Sequence, residues 1–233
     1  GTHVVRRMAA VAGWDGLPGG AVSMIDLASN SVGTDRYLLE LATSLPTLSS
    51  SERFADLQEY PPISGHPHHR LVVARWLQSR GIQTEAEQVV ITGGAHQALA
   101  ATLTALGQNP STLVAEELTY SSLAPLARSL RIPVEPVAMK RDGIDPGDVE
   151  RACRQYRRPI LFVTPNVNNP TTASMGRSNR QAVIAAARRY DAMIVEDDVF
   201  ALLAEKDVPA LAAMAPERVY YVSSFAKAVA PGL

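Results

Sequence analysis

With 233 residues, 46% of them hydrophobic and 19% charged, the chain has globular composition and enough length to bury one sizeable core. Its 22 basic and 23 acidic side chains nearly cancel, so net charge gives no reason to expect a polyanion partner for this segment. A single cysteine, Cys153, excludes an internal disulfide, and neither a long apolar run nor a signal-peptide pattern is present; the reading is a reducing, cytoplasmic setting.

Residues 1–24 are punctuated by Gly13, Gly16, Pro18, Gly19 and Gly20 without a sustained period and read as a linker, which leaves 25–233 as the main domain. From Arg70 apolar residues recur at helical spacing, with Val72, Val73, Trp76 and Leu77 on one stripe and Gly81 at the stop. Three imidazoles, His66, His68 and His69, precede that helix with no Cys, Asp or Glu close by to complete a metal set, and are read as its surface start. Val89-Val90-Ile91 predicts a short buried strand. After Gly93-Gly94 comes a helix with Leu99, Leu103 and Leu106 on one face, then a strand over 112–115.

The alternation continues with a helix near 122–130, a strand near 134–138, a helix near 148–156 carrying Cys153, and the apolar strand Ile160-Leu161-Phe162-Val163. Ser178 with Gln181 three residues on predicts a capping box opening a helix that runs to Tyr190. Met193-Ile194-Val195 and Val219-Tyr220-Tyr221-Val222 supply the last strands. Strands of the doubly buried type separated by helices predict an α/β domain with a mostly parallel sheet, whose ligands gather at the carboxyl ends of the strands.

Those ends carry chemistry. In chain order they present the Gly93-Gly94 turn, an aromatic at Tyr120, the amides around Asn169, the carboxylates Asp197 and Asp198, and Lys227. A glycine turn lets the backbone approach a phosphate, which the first amides of the following helix, at Ala95 and His96, can receive. An aspartate facing a protonated ring nitrogen keeps that nitrogen charged, a pair at 4 Å being worth about 4 kcal/mol at an effective dielectric near 20. A lysine can condense with an aldehyde, and a flat aromatic can stack on a ring. Singly these features are ordinary: Asn-Pro is a common turn and a Gly-Gly turn is often packing geometry.

In order and wording the motifs resemble the fold-type I aminotransferases, class I/II, and above all the aminotransferase-like domain of MocR-type regulators of the GntR family. The likeness runs over about 57–233: Tyr60-Pro-Pro-Ile-Ser-Gly65 with Arg70, Gly94-Ala95-His96-Gln97, Asn169-Pro170-Thr171, Asp197-Asp198-Val199-Phe200, and Ser224-Phe225-Ala226-Lys227 leading into Ala230-Pro231-Gly232-Leu233. The resemblance implies the three-layer large domain of that fold, without its small carboxy-terminal domain, and pyridoxal 5'-phosphate as cofactor. It implies that Lys227 forms the Schiff base, that Asp197 partners the pyridine nitrogen, and that Asn169 bonds the ring's phenolic oxygen. Tyr120 would stack on the ring, while the amides of Ala95 and His96 and the Ser224 hydroxyl would cup the phosphate. Tyr60 would reach the phosphate of a neighbouring subunit in a homodimer.

Departures accompany it. Phe200 stands where many relatives place a tyrosine, His96 replaces a more usual polar residue, and Ala226 replaces a hydroxyl. Leu233 falls one position short of a phosphate-binding arginine. Two functions follow: an effector-sensing domain that detects an amine, an amino acid or the cofactor itself for a DNA-binding domain outside this chain, or a free-standing aminotransferase. Gly1-Thr2-His3-Val4, similar to the end of a winged-helix domain, and Ile25-Asp26-Leu27-Ala28-Ser29-Asn30 favour the regulator.

Overall fold

The computed structural model describes residues 35–107, 111–204 and 208–229. The expected linker over 1–24, the two stretches that favoured the regulator and the final Ala230–Leu233 lie outside them.

Helix α1 (Asp35–Ser49) and two short 3-10 turns lead to α2 (Pro67–Ser79), α3 (Ala95–Leu106), β1 (Leu113–Glu116), α4 (Leu123–Ser129) and β2 (Val134–Val137). A two-residue hairpin, β3 (Met139–Lys140) with β4 (Gly143–Ile144), precedes α5 (Pro146–Gln155), β5 (Ile160–Val163), α6 (Arg177–Arg189), β6 (Met193–Asp197), α7 (Leu211–Met214) and β7 (Val219–Val222). Strands β2-β1-β5-β6-β7 pair in that order, all parallel. The expected parallel sheet is present, and the short strands leave their carboxyl ends nearly level: Val163 pairs with Glu196, and Asp197 with Val222.

Burial on both faces explains the apolar runs. Along β5, Leu161 and Val163 face Val149, Ala152, Val183 and Ala187 of α5 and α6, whereas Ile160 and Phe162 face Leu99, Leu103, Leu123 and Leu126 of α3 and α4. Side chains alternate across a strand, so one tetrapeptide supplies both cores of a helix–sheet–helix sandwich.

Three expectations are corrected. Val89–Ile91 is not a strand: Val90 is 62% exposed, and the amide of Ile91 donates to the Ser64 carbonyl rather than to a ladder. A three-residue apolar run reports burial, here of Val89 alone, and cannot report a pairing partner. The capping box at Ser178 does not form. The helix opens at Arg177 with Gly176 as N-cap and no side-chain cap, which places Ser178 inside the first turn. On α2, which begins at Pro67 with His66 as its N-cap, Leu77 of the expected stripe is buried and Val73 and Trp76 pack against the same cluster, but Val72 is exposed and Ala74 is buried in its stead.

Candidate functional site

All five parallel strands end on one edge, and the expected residues come from the loops that leave it. Asp197 is the last residue of β6 and only 5% exposed. One of its oxygens, Oδ1, is buried without a hydrogen-bond partner, while the amide of Val199 donates to the carboxylate. A buried carboxylate oxygen left unpaired is expensive in a folded protein and calls for a physical reason.

On the neighbouring strand end, β7 runs into a turn that holds Lys227 half-buried. The Ser224 hydroxyl accepts from the Ala226 amide at 3.1 Å, and the Phe225 carbonyl accepts from the amides of Ala228 and Val229. Phe225 packs on Trp76 of α2, ring centroids 5.5 Å apart. The lysine turn is thus fastened on both sides.

Helix α3 begins after Gly94, whose φ of +112° is a conformation that side chains rarely adopt; a Cβ there would meet nothing within 4 Å, so backbone geometry and not space calls for glycine. Ala95 and His96 are its first two residues, and amides of a first turn have no intrahelical partner. The His96 ring meets Tyr120 edge-on at 6.2 Å, which brings the helix start and the aromatic of the β1 loop together. Asn169 sits half-buried after β5, joined to Pro170 by a cis peptide bond. Tyr60 is fully exposed, at 102% of its reference accessibility.

Several buried polar residues went unread in the sequence. Asp198, paired with Asp197 in the sequence but given no role of its own, is 1% exposed; it accepts from Asn166 Nδ2 at 2.7 Å and from the Tyr221 hydroxyl at 2.9 Å. Arg180, inside α6 and equally buried, donates to Asn166 Oδ1 and to the carbonyls of Met175, Pro165 and Pro209. Glu196 accepts from the amides of Leu211 and Ala212 at the start of α7. Together they tie the β5 and β6 loops to α6 and α7 on the face away from α3.

Four carboxyls of this edge, Glu116, Glu196, Asp197 and Asp198, are held above their usual range by burial. Asp197 is pushed to about 7, and Glu116 and Glu196 to about 8, the charges of neighbouring aspartates adding to the effect. In an unfolded chain these groups titrate at 3.8 for Asp and 4.5 for Glu. The folded state therefore keeps protons that the unfolded state has released, and stability falls as pH rises through that interval. Thermal melts of the cofactor-free protein should give a Tm that declines between about pH 5 and about pH 8. A Tm that is flat or rising over that range contradicts the assignment.

A parallel sheet whose carboxyl edge gathers a glycine-opened helix start, an aromatic, a buried unpaired carboxylate and a lysine turn defines a large domain of the fold-type I, pyridoxal phosphate-binding class. The profile of the family "Aminotransferase class I and II" matches residues 22–232, and the chain belongs to that family.

Among curated relatives, it is 31% identical over 157 residues to the uncharacterized HTH-type transcriptional regulator YdeF of Bacillus subtilis, covering 67% of this chain and 34% of that protein. It is 32% identical over 169 residues to (S)-3,5-dihydroxyphenylglycine transaminase of Amycolatopsis orientalis, covering 70% and 39%. It is 30% identical over 182 residues to the probable rhizopine catabolism regulatory protein MocR of Rhizobium meliloti, covering 76% and 36%. The chain thus spans between a third and two fifths of these relatives. Among solved structures, the α-aminoadipate aminotransferase LysN of Thermus thermophilus, complexed with N-(5'-phosphopyridoxyl)-L-leucine, superposes with a TM-score of 0.77 at 25% identity, covering 88% of this chain and 53% of that one.

Pyridoxal 5'-phosphate is the cofactor of this family, and the residues present fit it: the unpaired Asp197 oxygen suits a ring N–H donor, and the α3 start suits a phosphate. Among the described residues no helix is long and apolar enough to cross a membrane.

Proposed function

We propose that this chain is the cofactor-carrying, effector-sensing part of a MocR-type transcriptional regulator of the GntR family. It binds pyridoxal 5'-phosphate through Lys227 and responds to an amine, an amino acid or the cofactor itself. The observation that carries the reading is the unpaired buried oxygen of Asp197 on β6, one strand from the Lys227 turn after β7, in a chain whose relatives include several regulators. When bound, the cofactor supplies an electrophilic aldehyde and a cationic ring that withdraws electrons. Lys227 provides the amine that holds it and can move a proton, Asp197 holds the ring charged, and Asn169, Tyr120 and the α3 amides orient it. DNA contact belongs to a domain outside this chain, and the setting is cytoplasmic.

The same residues support a second reading, an aminotransferase, favoured by the similarity to a transaminase and by the presence of both Lys227 and Asp197. A homodimer accords with either, since Tyr60, Ile63, Leu38, Leu39 and Leu45 are exposed apolar side chains that a second copy would cover. The test uses the full-length, cofactor-loaded protein with a panel of amines and amino acids. The regulator reading expects at least one of them to change affinity for promoter DNA by about 5-fold or more, a usual allosteric coupling, without turnover. Steady release of a keto product, with DNA affinity unchanged by every amine, supports the aminotransferase instead.

A further inference from the structure

The loop that carries Asn169 holds two β-branched residues in the left-handed region, Val167 at φ +48° and Thr172 at φ +61°. Such a loop keeps its shape only if its surroundings hold it. Asn168 is where it is held. Its amide donates to the Ala173 carbonyl at 2.8 Å, its carbonyl accepts from the Thr172 amide at 2.7 Å, and its Oδ1 accepts from the amide and hydroxyl of Thr171. Its Nδ2 points the other way, donating to Glu116 Oε2 at 2.9 Å and, at 3.3 Å, to the Leu118 carbonyl.

Glu116, the last residue of β1, is 2% exposed; the same Oε2 also accepts from the Thr164 amide at the end of β5, and Oε1 has no partner. Nothing in the chemistry assigned to Lys227, Asp197 and Asn169 uses this carboxyl. Burying one is costly, so its place at the joint between two strand ends and the loop calls for a return.

We infer that Glu116 is a positioning residue: through Asn168 it fixes the loop that presents Asn169 to the cofactor. The inference rests on the cofactor reading above, and it deepens that reading by naming what places Asn169. An acceptor oxygen is all that Thr164 and Asn168 require of Glu116, so glutamine should substitute and alanine should not. Burial pushes the carboxyl to about 8, so the neutral amide of glutamine also resembles the form present below that pH.

The experiment has two arms on the purified chain. In the first, without cofactor, hydrogen exchange is followed at the Asn168 and Thr172 amides. Glu116→Ala is expected to speed it by about tenfold, the loss of one buried hydrogen bond, while the amides of α6 stay protected. In an Asn168→Ala background, where the link is already cut, Glu116→Ala should bring little further change at Thr172, and in the wild-type background Glu116→Gln should restore near wild-type protection. In the second, the dissociation constant and the visible absorption of bound pyridoxal 5'-phosphate are measured. Glu116→Ala should weaken binding by about tenfold and shift the absorption, and Glu116→Gln should reverse both.

Unchanged exchange at Thr172 in Glu116→Ala overturns the inference, as does loosening of α6 and the loop together that glutamine does not rescue. If wild type itself takes up no cofactor, it is the cofactor reading that fails, and the exchange arm decides the role of Glu116 alone.

Discussion

Replacing Lys227 with Ala is expected to abolish covalent capture of pyridoxal 5'-phosphate completely. Wild-type protein incubated with the cofactor and reduced with borohydride should carry a pyridoxyl group on the peptide containing residue 227, identified by mass spectrometry; Lys227→Ala should carry none at any lysine above background. The expectation follows from the turn. Ser224 caps it at the Ala226 amide, the Phe225 carbonyl closes it onto Ala228 and Val229, and Trp76 braces it through Phe225. That turn leaves the end of β7, which pairs with the end of β6 that carries Asp197. The variant keeps Asp197, the α3 start and Tyr120, so reversible binding should persist and the loss should be of the bond alone. Trapped cofactor on Lys227→Ala, at Lys140 for example, removes Lys227 from its role.

The sequence made the sheet and the lysine turn legible because both are local. Each of β1 and β5 is four buried residues, which reads as a strand buried on both faces, and Leu99 and Leu103 of α3 lie one helical turn apart. The positions of Asp197, Asn169 and Lys227 followed from where the strands stop. What stayed hidden is non-local. Val89–Ile91 has strand composition and no ladder, since pairing depends on a neighbour that composition does not name.

Nothing in the local pattern of α6 distinguishes Arg180 from Arg177, Arg188 and Arg189, yet it lies under Pro165, Asn166 and Pro209, which approach it only through the sheet crossovers. The Glu116–Asn168 bond spans 52 positions, and Asn166 to Asp198 spans 32. Spacing rules cover a turn of helix or a pleat of strand and are silent at that range. A carboxylate directly closing an apolar strand, as at Glu116 and Glu196, was the one available signal, because a charge in that place must be partnered or put to use.

The second large effect concerns Asp197, and its sign differs between two measurements on the same variant. In Asp197→Asn the ring nitrogen loses its counter-charge. With a pair at about 4 Å worth about 4 kcal/mol at an effective dielectric near 20, affinity for pyridoxal 5'-phosphate should fall by up to about a thousandfold at pH 8. Without cofactor the same change should raise the melting temperature at pH 8. Wild type there carries an ionised carboxyl whose proton affinity burial has pushed to about 7, and removing that buried charge relieves the protein of it. At pH 5 the wild-type carboxyl is protonated and the stability gain should shrink, which separates a charge effect from a packing effect. A side chain that weakens the empty fold and strengthens the complex is explained by the ligand it awaits and not by the fold it sits in. Calorimetric titration at pH 8 gives the affinity, and melts at pH 5 and pH 8 give the stability. An Asp197→Asn protein that binds as tightly as wild type, or one destabilised equally at both pH values, returns Asp197 to the role of a structural strand terminus.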